Sequence, residues 1–267
     1  MRVDQSTQPA IEAATVMLVR DRASVEVFLL ERHIDSDFVG GAWVFPGGKV
    51  DEADAWLPPS ALAGHPPAAL AEHVGDGSAT ALCVAAIRET FEESGVLLAH
   101  RTTGPVTAAD LRSDSYLAAR SKLADRNSKW DWSGWLADER LRLDLTALVW
   151  WSWWVTPMGV HRRFDTKFFV ATLPESQVAV HDNIETTNSR WARPVMALQA
   201  AKSGSVSIIL PTRMNLQKLA GYPSTTSIVV AGTALDFARP RIEPRLIIGD
   251  DGQVLVDHES FDHPEPV

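Results

Sequence analysis

The sequence predicts an α/β fold built on one core sheet that is interrupted twice. Three observations carry this. Strand-like apolar runs stand on both sides of each of two interrupting stretches, no internal repeat divides the chain, and one long helix pattern concentrates carboxylates. One sheet with two interruptions is simpler than two separate domains. Residues 1–267 are therefore expected to form a single domain with insertions at about 51–78 and 103–145.

The elements follow in order. Ala14 to Val19 is a short apolar run that reads as a buried strand. Asp21-Arg22-Ala23-Ser24 makes a turn, and Val25 to Arg32 alternates as the second arm of a hairpin. His33 to Gly41 is a loop. Ala42 to Phe45 is a third strand running into Pro46-Gly47-Gly48, where two glycines let the backbone approach a metal or phosphate closely. The first insertion carries Pro58-Pro59 and Pro66-Pro67, which break helices and leave room for a short helical piece around Ala68 to Val74. A long helix is expected from about Ala79 to Ser94, closed by Gly95, and a strand from Val96 to Ala99. The second insertion reads as a helical cap bearing Trp130, Trp132 and Trp135. Leu148 to Val155, with four tryptophans, is expected to be a strand buried on both faces, at least two of the rings serving the core. After the basic triplet His161-Arg162-Arg163, a strand is expected from Thr166 to Leu173. Helices follow from Pro194 to Ser203 and Thr212 to Ala220, and a hairpin joins Arg245–Ile248 to Gln253–Val256 through Gly249-Asp250-Asp251-Gly252.

Composition narrows the function. A hydrophobic content of 45% suits a globular core. The net charge of −9 argues against a general nucleic-acid surface, and it means that an anionic substrate must meet a local basic patch or a metal. The single cysteine, Cys83, excludes an internal disulfide and suits a reducing compartment, so a cytoplasmic protein is expected. Cys83 sits on the long helix beside its apolar stripe and reads as packing. Residues 1–10 lack the pattern of a signal peptide, and no apolar run approaches the roughly 20 residues of a membrane span, so no membrane partner is expected. A homodimer is left open.

The chemistry concentrates in Arg88-Glu89-Thr90-Phe91-Glu92-Glu93-Ser94-Gly95-Val96. At helical spacing Thr80, Val84, Ile87 and Phe91 share one stripe, and Glu89, Glu92 and Glu93 fall nearly opposite. Like charges one turn apart repel, and a hard divalent cation would offset them. This stretch resembles the second half of the box that defines the Nudix family. Gly48 and Asp54, with five residues between them, resemble its first half, with Asp54 where the family has Glu. Thr90 stands where an aliphatic residue is usual. Between Asp54 and Arg88 lie 33 residues rather than the usual seven, so the box is split by an insertion in a loop, where insertions are cheapest.

The resemblance implies the Nudix fold, a mixed β-sheet sandwiched between α-helices, here with a C-terminal helical and hairpin extension. It implies hydrolysis of a diphosphate, with Mg²⁺ (or Mn²⁺) held by Glu89, Glu92, Glu93 and Gly48. Glu92, Glu93, Arg88 and Glu185 form the candidate catalytic set. Arg88 is expected to pair with Asp54 and anchor the loop, and Glu185 is a downstream candidate for the general base. Arg32, Gly47, Arg162 and Arg163 are assigned to substrate. The segments Leu29–Arg32, Phe38–Gly48, Arg163–Phe169 and Pro211–Leu216 are similar to a long, insertion-bearing branch of the family that acts on coenzyme A. The best expectation is therefore a small nucleotide-diphosphate substrate, coenzyme A or acyl-CoA, cut to 3′,5′-ADP and 4′-phosphopantetheine. Arg213 and Lys218 are further candidate cations for its 3′-phosphate, and the tryptophan-bearing cap for its apolar arm. The rivals are an ADP-ribose or NADH pyrophosphatase, an isomerase on the same fold, for which Cys83 is poorly placed, and a nucleotide sensor that binds without cutting. A sensor of this kind usually loses the carboxylates that this chain keeps.

Overall fold

The computed structural model describes residues 9–34, 40–125, 130–182, 186–249 and 252–266. Glu185, the Phe38-Val39 part of the family resemblance and Asp250-Asp251 of the last turn lie outside the described residues.

Strands β1 (Ile11–Asp21) and β2 (Val25–Arg32) form the expected hairpin, with Val19 opposite Val27. Next come β3 (Trp43–Val44) and β4 (Gly47–Lys49). The first insertion holds 3₁₀ turns at Glu52–Trp56 and Pro59–Ala61, then β5 (Leu62–Ala63), and runs into α1 (Ala68–Val74) and α2 (Asp76–Ser94). Strand β6 (Ala99–Arg101) leads into the second, which contains β7 (Gly104–Pro105), α3 (Ala108–Leu111), α4 (Asp114–Ala124), α5 (Trp132–Asp138) and β8 (Leu141–Asp144). The chain returns to the core with β9 (Val149–Val155), β10 (Phe164–Thr172) and β11 (Thr186–Ala192). It ends with α6 (Pro194–Lys202), α7 (Leu210–Leu219), α8 (Thr225–Thr233), β12 (Arg241–Ile242), β13 (Arg245–Ile248), β14 (Val254–Asp257) and β15 (Glu265–Pro266).

The main sheet has the order β11-β2-β1-β10-β9-β12, with β3 on β2 and β4 on β1. It is mixed. The β1–β10 and β9–β12 pairs are parallel and the others antiparallel. Helices cover both faces, which is why β1 and β9 bury residues on both sides. On one face α2 packs Leu82, Val84 and Ile87 with Val16, Leu18, Trp150 and Phe169. On the other, Met17, Val27, Trp151 and Val170 meet Ala197, Leu216 and Ile228 of α6, α7 and α8. Burying about 1.5–3 kcal/mol of apolar side chain at each such position holds the layers together.

Several boundaries differ from expectation. Helix α2 starts at Asp76 rather than Ala79, because Gly75, at φ 83°, ends α1 and starts α2 in one residue. The strand expected at Val96–Ala99 begins only at Ala99, since Gln177 takes the Leu97 backbone that a strand partner would use. The glycine pair read as a close backbone approach is itself a short strand, β4, paired with β1. Strand β11 and helix α8 have no counterpart in the sequence expectation. In α8 the capping box of Ser224 and Ser227 makes a helix of a β-branched run that by composition suits a strand. Strands β5 and β8 pair in parallel, so the two insertions share one small sheet with β6 and β7. Among the described residues no helix is long and apolar enough to cross a membrane.

Candidate active site

Helix α2 is buried on nearly every side from Ala79 onward, helped by Ala79, Ala81, Ala85 and Ala86, whose small side chains let its neighbours approach. Its acidic face is therefore no solvated surface. Glu89, Glu92 and Glu93 are only 9%, 7% and 3% exposed. Cys83 is fully buried as expected, and burial pushes its thiol pKa far up, so it is no nucleophile.

Arg88 organises this acidic set. Its Nε donates to Asp54 Oδ1 at 2.9 Å and its Nη2 to Asp54 Oδ2 at 2.9 Å. Nη2 also donates to the Lys49 carbonyl at 3.0 Å, and Nη1 to Glu89 Oε1 at 2.8 Å. Burial alone would lower the guanidinium pKa, but Glu89 and the hydrogen-bonded Asp54 outweigh it and raise it. Asp54 is 1% exposed and also accepts the Asp51 amide at 2.8 Å. The two halves of the box thus meet across 34 positions, and the shorter Asp reaches Arg88 because the 3₁₀ turn Glu52–Trp56 carries it inward.

The glycine pair of β4 closes the other side. A Cβ on Gly48 would lie 2.5 Å from the Glu89 carboxylate, and one on Gly47 would lie 2.5 Å from the Ala14 carbonyl oxygen. Close approach requires both glycines. The Gly47 amide donates to Glu93 Oε2 at 2.8 Å. The sequence assigned Gly47 to substrate; its amide is here bound to Glu93.

These donors are all oxygens, which suits a hard divalent cation. Among the described residues no group of three or more carboxylate, imidazole or thiol side chains is gathered closely enough to hold a metal ion. The fit to a Mg²⁺-like ion rests on the chemistry of the oxygens alone, since that ion binds through one or two carboxylates and keeps places for water and substrate phosphates.

Glu89 and Glu92 open on a groove of about 1100 Å³. Glu89, Glu92, Gly48 and Arg32 line one end, Lys122, Trp130 and Trp132 of the second insertion stand over it, and Trp154, Arg162, Phe168 and Leu210 line the rest. Of the four β9 tryptophans, Trp150 and Trp151 are core on opposite faces, as expected for two of them, and Trp154 faces the groove. The structure does not bring Arg163 or Lys218 to the groove. Arg163 is buried against Glu243 and the Thr156 carbonyl, and Lys218 packs on the rings of Trp151 and Phe237. Arg213 reaches the groove but is paired with Glu265 at 2.7 Å. Lys122 was not anticipated. Only the folding of α4 over the site brings it there, and its sole local mark is a cation–π contact with Trp130 at 5.4 Å.

A family model described as the NUDT19 Nudix domain matches residues 67–219, more than half of the chain. The chain belongs to the Nudix family. Within that family it is similar to the acyl-coenzyme A diphosphatase NUDT19 of Homo sapiens, 30% identical over 85% of this chain and 69% of the relative. The Xenopus laevis protein of the same name is 30% identical over 74% of this chain and 60% of the relative. The chain thus spans 60% to 69% of the length of these relatives. Among solved structures, a NUDIX hydrolase from Alicyclobacillus acidocaldarius has a TM-score of 0.73 and 27% identity, covering 87% of this chain and 100% of its own. The Nudix sheet between helices is therefore common to both chains. The family match starts at residue 67 and so leaves Gly48 and Asp54 outside it, yet the Arg88–Asp54 pair joins them to the matched helix.

Proposed function

We propose that this Nudix chain is a metal-dependent hydrolase that cuts the diphosphate of coenzyme A or an acyl-CoA into 3′,5′-ADP and 4′-phosphopantetheine or its acyl form. The observation that carries this reading is the set of three buried carboxylates, two of which, Glu89 and Glu92, line a groove that also carries apolar side chains such as Trp154 and Phe168. The printed names of the relatives support the choice of substrate. A sensor that binds without cutting would have no need of this set.

Mg²⁺ or Mn²⁺ bound by Glu89, Glu92 and Glu93, near Gly48, would neutralise charge on the phosphoryl oxygens and lower the pKa of a coordinated water. Glu92, which faces the groove, takes the proton of the attacking water. The water oxygen bonds to one phosphorus, the bond from that phosphorus to the bridging oxygen breaks, and the bridging oxygen leaves on the other phosphate. Arg32 and Lys122 meet the phosphate oxygens, and Arg88 holds the Gly48–Asp54 loop in register with the helix. The apolar reach past Trp154 and Phe168 takes the pantetheine arm and excludes water. We read the chain as one domain, with the second insertion as the roof of the groove. A reducing, cytoplasmic setting goes with the buried lone Cys83.

The test compares kcat/KM for coenzyme A, 3′-dephospho-CoA, ADP-ribose and NADH under Mg²⁺ and Mn²⁺. Coenzyme A or its acyl esters should lead. A preference for ADP-ribose or NADH of about tenfold, some 1.4 kcal/mol in transition-state binding, would replace the substrate and leave the reaction class.

A further inference from the structure

A helix end leaves four carbonyls without intrahelical partners. At the end of α2 the Phe91 carbonyl still accepts a helical bond from Gly95, so the unpartnered carbonyls begin with those of Glu92, Glu93 and Ser94, and each of these three is taken. The Phe91 carbonyl accepts the Gly95 amide at 2.9 Å, and the Ser94 carbonyl accepts the Val180 amide at 2.8 Å. The other two go to one side chain of the second insertion. Arg120 of α4 donates through Nε to the Glu92 carbonyl at 2.8 Å and through Nη2 to the Glu93 carbonyl at 3.0 Å. Nη2 also donates to the Val180 carbonyl at 2.7 Å. The residues whose backbones Arg120 holds are the two whose side chains end the carboxylate set. We propose that Arg120 is a positioning residue for that set, closing the last turn of α2 so that Glu92 and Glu93 stay aimed at the groove and at Gly47.

Independent features agree with this. Gly95, at φ 69°, would place a Cβ 3.0 Å from Arg120 Nη1, so the end of α2 is shaped to admit the guanidinium. A cation at a helix C-terminus also complements the helix dipole. Burial lowers the Arg120 pKa, and Asp182, Glu92 and Glu93 oppose that effect. The cap has a separate grip on α2 through Phe91, whose ring lies 6.0 Å from Trp135, 6.2 Å from Trp132 and 6.5 Å from Tyr116. Removing Arg120 therefore loosens the carboxylate turn while the cap remains attached. An end turn without its partners frays, and a frayed turn holds a cation less well.

The consequence for metal binding rests on the Nudix reading above. The experiment titrates Mn²⁺ into the substrate-free full chain, with free Mn²⁺ followed by electron paramagnetic resonance, for the unmodified protein, Arg120→Ala, Arg120→Lys and Arg101→Ala. Arg101 bonds Asp110 and Tyr116 within the cap and serves as the control for cap stability. Arg120→Ala should bind Mn²⁺ about tenfold more weakly or worse, the loss expected when a partner outside the ligand set is removed. Its kcat for coenzyme A at saturating metal should stay within about threefold, since the ligands themselves remain. Arg120→Lys keeps the charge without the fork and should lie between. Arg101→Ala should bind Mn²⁺ within about twofold of the unmodified chain, as expected of an independent site. Unchanged Mn²⁺ binding in Arg120→Ala, or an equal loss in Arg101→Ala, overturns the proposal. Should Arg120→Ala not fold, Arg120→Lys decides, and binding equal to the unmodified chain overturns it. An unmodified chain that binds Mn²⁺ but leaves coenzyme A intact sinks the substrate reading and leaves this one standing.

Discussion

The two ends of the groove are built differently. At the carboxylate end, polar groups hold one another: Arg88 joins Asp54, Glu89 and the Lys49 carbonyl, and Glu93 is fixed by the Gly47 amide. Of its elements, α2 belongs to the packed core and β4 is paired with the buried strand β1. Elsewhere the walls come from the end of β9 and the loop after it, the start of α7 and Val256 of β14, with Thr156, Arg162, Thr212 and Arg213 among apolar side chains. Arg162 leans on Phe164 at 5.3 Å, and Arg213 is tied to Glu265 from the last strand. The first end is held by its own polar contacts, and the second is a mixed wall whose loops can change without disturbing it.

That contrast can be broken most severely at Arg88. Arg88→Ala leaves Asp54 buried without its partner, which should cost about 3–5 kcal/mol of stability by urea unfolding. Metal affinity should fall with it, and raising Mg²⁺ should recover part of the activity. Equal loss of kcat at every Mg²⁺ concentration would instead mean that Arg88 touches substrate.

Glu93→Gln comes next. It keeps an oxygen for the Gly47 amide while removing the charge, so the fold should hold and kcat should drop about a hundredfold or more. A folded variant with unmodified turnover would remove Glu93 from the site.

At the far end the effect should be smaller and of another kind. Arg162→Ala should raise KM for coenzyme A about fivefold to tenfold, near 1.4 kcal/mol at most, with kcat little changed. A fall in kcat at constant KM would erase the distinction between the two ends.

The smallest expected effect lies away from the groove. Burial, with the Arg239 charge, holds Lys218 down at about 8 from its ordinary 10.5. Between those values the unfolded chain binds more protons than the folded one, so stability should rise with pH over that window. Lys218→Met should abolish the rise, and urea midpoints across the window would measure it. An unchanged pH slope would mean that Lys218 is not the group responsible.

Legibility in the sequence followed the same division. The residue types of the carboxylate end could be read directly, since Arg-Glu followed by Glu-Glu-x-Gly on one helix has few other uses. Asp54 was paired with Arg88 correctly despite 33 intervening residues, because a loop insertion leaves both anchors in the core. The far end was harder. Arg162 and Arg163 are neighbours in one basic triplet, yet in the loop before β10 one lines the groove and the other pairs with Glu243. Lys122 carried no signal because its place depends on how a whole cap folds onto α2. Helix α8 was missed because two serines cap a run whose composition suits a strand.

The central claim is that a split box reassembles into a metal-dependent diphosphatase. It is tested most directly by adding Mg²⁺ to chelator-stripped protein with coenzyme A and following 3′,5′-ADP. The account predicts no product without the metal and a saturable return of turnover as Mg²⁺ rises. Production of 3′,5′-ADP at the same rate without any divalent cation, or none at any concentration of Mg²⁺ or Mn²⁺, would contradict it.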